Sequence, residues 1–209
     1  MIHVNKCPEP VDFDVKVRRP GLSFLATCPN PKTKDWRSNN YWKKANTDLY
    51  SSYGGVCAYT GEWFSLTTSS VSVDHFLPKS RAPHLAFEWD NYRLTTQKAN
   101  NNKADYIIID PFNVQLGWFA LAIPSCLIVA GDNLASETCA QVEFAIEKLK
   151  LNSDEEYVER RYETIIDYIR GDISFTFLQR RFPFIAIELE RKNLKDADKL
   201  KGFFKYLPN

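Results

Sequence analysis

The chain has 209 residues, 44% hydrophobic and 25% charged, which excludes a disordered chain and allows one large domain or a small core with additions. Net charge is only +1, so no global basic field points to a polyanionic partner, but residues 1–50 carry nine Lys/Arg against five Asp/Glu, residues 51–150 seven against ten, and residues 151–209 eleven of each. The five scattered cysteines (Cys7, Cys28, Cys57, Cys126 and Cys139) contain no Cys-x-x-Cys pair, so neither a disulfide framework nor a four-cysteine zinc site is indicated, and reduced thiols fit the cytoplasm.

In chain order, residues 1–35 are proline-rich (Pro8, Pro10, Pro20, Pro29, Pro31) and read as an extended arm over the body. No apolar leader follows Met1. A helix is predicted from Ser38 to Ser52, closed by Gly54-Gly55, with Trp36, Tyr41 and Trp42 as core aromatics. The basic balance of this first third suits either phosphate contacts or a solvated surface. Phe64 to Val73 reads as a β-hairpin with a turn at Thr67–Ser70, and Tyr92 to Thr95 as a short extended piece. Gln97 to Asp105 is assigned as helix despite three consecutive asparagines, residue types with poor helix propensity. Tyr106 to Ile109 reads as a buried strand, and Trp118 to Ala130 as a hairpin turning at Pro124-Ser125, too short and too broken to span a bilayer.

The remainder is helical. Val142, Ala145, Ile146 and Leu149 share one face, and Ser153 to Glu156 reads as a capping box opening a helix that buries Val158, Tyr162, Ile165, Ile166 and Ile169 and stops at Gly171. A last helical region runs from Phe175 to Leu194, interrupted near Pro183. The expected class is α+β, organised as 1–52 arm and aromatic helix, 53–105 core, 106–131 β segment and 132–209 helical region, packed as one unit.

Chemistry concentrates in 71–105. Asp74 and His75 are adjacent, Asn91 follows, then Asn100 nine residues later, then Lys103. Phosphodiester hydrolysis needs an activated water and relief of negative charge at phosphorus, for which a near-neutral imidazole and a hard cation held by carboxylate oxygen are suited. An Asp-His pair alone is weak, and a core histidine hydrogen-bonded to Asp74 is its plain structural reading. At a strand end the two side chains point to opposite faces, so one site needs a bend or a phosphate lying between them. Lys79 and Arg81 follow in a loop where they serve phosphate contact or solubility, and His84 reads as a solvated loop residue.

The order Asp74-His75, Asn91, Asn100, Lys103 resembles the core of HNH (ββα-metal) endonucleases, over roughly residues 53–105. That resemblance implies a ββα-metal core, His75 as general base, Asp74 and Asn100 as ligands of Mg²⁺ or Mn²⁺, Asn91 orienting the base loop, and Lys103 as a basic position near phosphate. Asn101 and Asn102 remain alternatives to Asn100. Many HNH proteins carry a structural zinc in two Cys-x-x-Cys knuckles; here those places read Cys57-Ala-Tyr-Thr60 and Thr96-Gln-Lys-Ala99, so structural zinc is not expected.

A looser resemblance extends over Trp36, Tyr41-Trp42, Asp110-Pro-Phe, Gly117-Trp-Phe and the helical C-terminus. It is to the small HNH subunits of bacterial anti-phage systems of the Septu and retron-associated type, and implies DNA as target and an ABC-class ATPase partner. Phe175, Phe177, Phe182, Phe184, Phe203 and Phe204 are then candidates for a docking patch, or core. The alternatives from other classes are a catalytically silent HNH scaffold acting as a partner-binding regulatory subunit, and a stand-alone restriction-type or RNA-directed nuclease.

Overall fold

Phe13 and Val17 are fully buried, and their burial makes the N-terminal arm helical where an extended arm was expected. In the computed structural model, which describes residues 1–67 and 69–204, a π-helical stretch at Asp14–Arg18 runs into α1 (Arg19–Thr27), followed by α2 (Thr33–Ser38). The prolines bracket these helices instead of preventing them. Pro20 lies where the π-helical stretch passes into α1, and Pro29 and Pro31 lie between α1 and α2.

The aromatic helix expected over Ser38–Ser52 is broken. Asn39 and Asn40 donate their side-chain amides to Asp35 O (2.9 Å) and Arg37 O (2.8 Å), capping α2. The chain restarts as a 3₁₀ turn at Tyr41–Ala45 and then α3 (Asn46–Ser52), which Gly54 and Gly55 close with positive φ as expected.

β1 (Val71–His75) pairs antiparallel with β2 (Tyr92–Thr96), from Val71 opposite Thr96 to His75 opposite Tyr92. The hairpin expected between Phe64 and Val73 is therefore replaced by a pairing across 16 intervening residues. Phe64 instead donates its N–H to Gly55 O at 3.0 Å, beside a bridge from Val56 to Trp63. The expected turn at Thr67–Ser70 includes Thr68, which lies outside the described residues. β2 passes directly into α4 (Gln97–Lys103), capped by Thr96 Oγ1 accepting from Ala99 N.

Tyr106–Ile109 is not a strand; it is an irregular segment that buries Ile108 and Ile109 and ends where Asp110 meets Arg93. β3 (Phe119–Ala122) and β4 (Leu127–Ala130) form the expected hairpin around Pro124-Ser125, with Ile123–Pro124 cis. The helical remainder is α5 (Ser136–Lys148), α6 (Glu155–Arg170), α7 (Phe175–Arg181), α8 (Pro183–Arg191) and α9 (Ala197–Lys201).

At the start of α6 the expected capping box does not form. Asp154 is drawn to Lys98 on α4 at 2.8 Å, and Glu156 joins the same ammonium. Gly171 ends α6 in the left-handed region. The phenylalanines divide: Phe182, Phe184 and Phe204 are buried, while Phe177 and Phe203 are 42% and 46% exposed, so they do not form one docking patch. One buried cluster runs from Met1 to Phe204, and no helix among the described residues is long and apolar enough to cross a membrane.

Gly21 marks a close contact between α1 and the aromatic core. A Cβ there would lie 2.1 Å from Phe87 Cγ, and that ring is fully buried among Phe24, Trp36, Tyr41 and Trp42. Alanine gains about 1 kcal/mol of helix propensity, but overpacking a locked ring costs about 1–3 kcal/mol. Gly21→Ala is expected to lower unfolding free energy by roughly 1 kcal/mol in urea. Unchanged or increased stability would show that α1 does not press on Phe87.

Candidate active site

α4 is a poor helix by propensity, and tertiary contacts hold it. Lys103, with 0% exposure, places its ammonium 3.1 Å from Asp74 Oδ1 and 3.1 Å from His75 O, both on β1. Asn100, one turn earlier on the same face, donates from Nδ2 to Ser72 Oγ at 2.7 Å. The three asparagines thereby separate. Asn102 turns to α5 and donates to Leu149 O, Asn101 accepts from Gln97 Nε2 in solvent, and Asn100 alone lies against β1.

Asp74 is 2% exposed. Tyr59 donates its hydroxyl to Oδ2 while Lys103 holds Oδ1. Burial pushes the carboxyl above the usual aspartate range, against the pull of Lys103 and the Tyr59 hydrogen bond. Tyr59 comes from the Cys57–Thr60 segment, a turn closed by Cys57 N to Glu62 O and Gly61 N to Cys57 O. Cys57 itself is buried, with Sγ 3.5 Å from Thr95 Oγ1.

His75 faces the other side of β1. Its ring meets Trp42 edge-on at 5.0 Å and Tyr92 at 5.3 Å. Nε2 lies 2.9 Å from Ala86 O, which can only accept, so Nε2 carries the proton. In the neutral ring Nδ1 therefore keeps its lone pair, and Lys79 Nζ lies 3.3 Å from it while stacking over Trp42 at 4.7 Å. Burial, reinforced by the Lys79 charge, holds the imidazole well below its usual range.

Asn91 fixes the loop between the strands. Its Oδ1 accepts from Leu77 N at 2.8 Å, and its Nδ2 donates to Leu77 O and Leu85 O at 3.1 Å. Beneath it Arg93 makes a two-pronged contact with Asp110 and lies between Phe76 and Phe112.

A cleft of about 410 Å³ opens over Asp74, His75, Lys79, Asn100 and Asn101. Four of the five singled-out residues thus meet at or under one opening: Asp74, His75 and Asn100 line it, and Asn91 shapes its loop. Lys103 does not line it. Its complete burial places it on Asp74 and the β1 backbone, and the phosphate contact expected for it requires an exposure it lacks. His84 lies on the exposed surface in a short 3₁₀ turn. Sequence reasoning missed Tyr59, whose pairing with Asp74 carries no local signal, and put Trp42 wholly in the core.

The oxygens suited to a hard cation are those of Asp74 and Asn100 Oδ1, which meets no donor among the described residues. Each Asp74 oxygen is already engaged once and retains a second lone pair. This set fits a small divalent cation that keeps most of its ligands as water and phosphate oxygen. Comparison with protein-family models and with curated proteins gives no match, so the HNH resemblance stands on these residues and their arrangement.

Two outcomes follow. Lys103→Met leaves Asp74 buried without its cation and is expected to cost about 3–5 kcal/mol. Adding Asp74→Asn should recover much of that loss in a double-mutant cycle followed by urea unfolding, and strictly additive effects would refute the pairing. For His75, the folded chain binds a proton less readily than the unfolded chain, so its contribution leaves stability unchanged above the ordinary imidazole range and lowers it as pH falls below about 6.5. NMR titration of the imidazole protons should show His75 still neutral at pH 6; a midpoint at or above about 6.5 would contradict its dry setting.

Proposed function

We propose that the protein is a divalent-metal-dependent endonuclease of HNH type that hydrolyses phosphodiester bonds in DNA. The observation that carries this reading is the fixed tautomer of His75: a buried imidazole whose Nε2–H is tied to Ala86 O and whose Nδ1 keeps its lone pair beside Lys79, in a residue that lines one cleft with Asp74 and Asn100. The antiparallel pair β1–β2 leading directly into α4 agrees with a ββα-metal core.

In this mechanism Nδ1 of His75 takes a proton from the attacking water as the water oxygen bonds to phosphorus. The bond from phosphorus to the leaving sugar oxygen breaks, and that oxygen takes a proton from solvent. Asp74 and Asn100 would hold Mg²⁺ or Mn²⁺, which would offset charge at the phosphate. Lys79 moves from Nδ1 to a phosphate oxygen, freeing the lone pair as substrate arrives. Trp42, Tyr92 and the Ala86 carbonyl hold the ring in place, and Asn91 holds the loop carrying Lys79. Lys103 is a positioning residue that fixes Asp74 and the strand end.

The wider reading, an effector subunit of an anti-phage complex with an ABC-class ATPase, draws on the looser resemblance of the outer segments alone. A second reading, a silent HNH scaffold serving as a regulatory subunit, is favoured by one observation: both Asp74 oxygens are already engaged within the protein.

Plasmid cleavage by the purified protein with Mg²⁺ or Mn²⁺ and with EDTA tests these readings. Cutting should require metal, and His75→Ala should reduce it by about 10²–10⁴-fold with folding intact. Metal-dependent cutting retained in that variant would sink the assignment of the base. No cutting, together with no Mn²⁺-dependent thermal shift that Asp74→Ala removes, would favour the silent scaffold.

A further inference from the structure

The basic residues of the first fifty divide sharply by position. Lys6, Lys16, Arg18 and Arg19 are each paired with a carboxylate. Lys32, Lys34, Arg37, Lys43 and Lys44 have no ion pair among the described residues. Three of this second group, Lys32, Arg37 and Lys43, line a cleft of about 810 Å³ whose far end is Lys79 and Asp105. Lys79 and Asp105 also line the cleft over His75, so the two openings adjoin at these residues.

Four cations therefore face one carboxylate, Asp105, which accepts from Ser80 Oγ at 2.9 Å. Clustering unpaired like charges on one wall is unfavourable in the isolated chain and becomes favourable when a polyanion lies along it. The cations are not on loose chain: Arg37 is on α2 and Lys43 on the following 3₁₀ turn, and the two segments are joined by the edge contact of Trp36 with Trp42 at 5.9 Å. Trp42 in turn touches the His75 ring, so the basic wall has a fixed offset from the base.

We propose that this cleft is the track for the phosphodiester backbone of duplex DNA flanking the bond to be cut, with Lys32, Arg37 and Lys43 each matched to a phosphate. The assignment of DNA rests on the nuclease reading. The ring faces of Trp42 are taken by Lys79 and Phe87, so the track grips by charge and not by stacking on that ring. It positions the strand without reading its sequence.

The test is the binding of a fluorescent DNA duplex to the full chain in EDTA, by anisotropy across about 50–200 mM salt. Each phosphate contact contributes a slope of about −0.9 in log K against log salt, so the variant Lys32→Gln/Arg37→Gln/Lys43→Gln should have a slope shallower by roughly 2.7. The charge-keeping variant Lys32→Arg/Arg37→Lys/Lys43→Arg should bind as wild type, and so should Lys192→Gln/Lys199→Gln/Lys201→Gln on the far helices. An unchanged slope in the first variant, equal loss in the far-helix variant, or no binding by wild type overturns the track. Tighter binding of an RNA duplex of the same sequence overturns its assignment to DNA. Hydrolysis of bis(4-nitrophenyl) phosphate, too small to span the track, is read in parallel. It should be equal in wild type and the track variant and lost in His75→Ala. Its absence in wild type counts against the nuclease reading alone and leaves the binding result standing.

Discussion

The candidate site depends on one buried ammonium. Removing a lysine from water costs several kcal/mol even after relaxation, and Lys103 is wholly buried with two partners, Asp74 Oδ1 and His75 O. Both belong to β1, so the interaction acts as a clasp between α4 and the strand that carries the Asp-His pair. α4 has seven residues and three asparagines, too short and too poor in propensity to persist alone. Once Lys103 is docked, Asn100 on the same face must lie against Ser72 and Val73. The placement of an uncharged amide against the strand that carries Asp74 is thus a consequence of where a charge was buried.

The other half of the site is assembled by aromatic packing from far away in sequence. His75 is kept dry by Trp42 and Tyr92, Trp42 packs against Phe87, and Phe87 has room only because residue 21 has no side chain. The N-terminal helices therefore back the aromatic cluster that buries the His75 ring, and that burial depresses its proton affinity. A neutral imidazole with one nitrogen tied to a carbonyl is a ready acceptor at the other nitrogen, but a weak one. Lys79, itself with a lowered proton affinity from burial, sits where it tunes that acceptor.

Elements specified by local contacts were legible in the sequence. The β3–β4 hairpin follows from a proline-serine turn between apolar runs, and α6 from Ile165, Ile166 and terminal Gly171, although Val158, Tyr162 and Ile169, expected in its buried face, are half-buried and Tyr157, Arg161 and Tyr168 are buried instead. Elements specified by distant partners were not. β1 pairs with β2 across the loop instead of with the nearer serine- and threonine-rich run, because that pairing buries Val73 against Leu94 and sets His75 beside Tyr92. The capping box at Ser153 lost to Lys98, an ion pair no local pattern encodes. The prolines of the arm suggested extension, while the burial of Phe13 and Val17 decided for helix. At the candidate site, order and spacing named Asp74, His75 and Asn100, which the structure brings to one opening, yet the depth of Lys103 and the contact of Tyr59 emerge only once α4 and the 57–60 turn are brought to Asp74.

Charge balance at the cleft bears on how a cation would be held there under the nuclease reading. Asp74 is offset by Lys103, Asp105 faces Lys79, and His75 is neutral, so the opening carries almost no net charge of its own. Such a site has little attraction for a free divalent ion, which prefers its hydration shell. A phosphate drawn in along Lys32, Arg37 and Lys43 changes that, adding negative oxygens beside Asp74 and Asn100 and engaging Lys79 away from Nδ1. Metal affinity and substrate affinity would then be coupled: each raises the other by the same factor, as linkage requires. The near-neutral overall charge of the chain is compatible with this arrangement because three cations without an ion pair among the described residues are gathered on one wall.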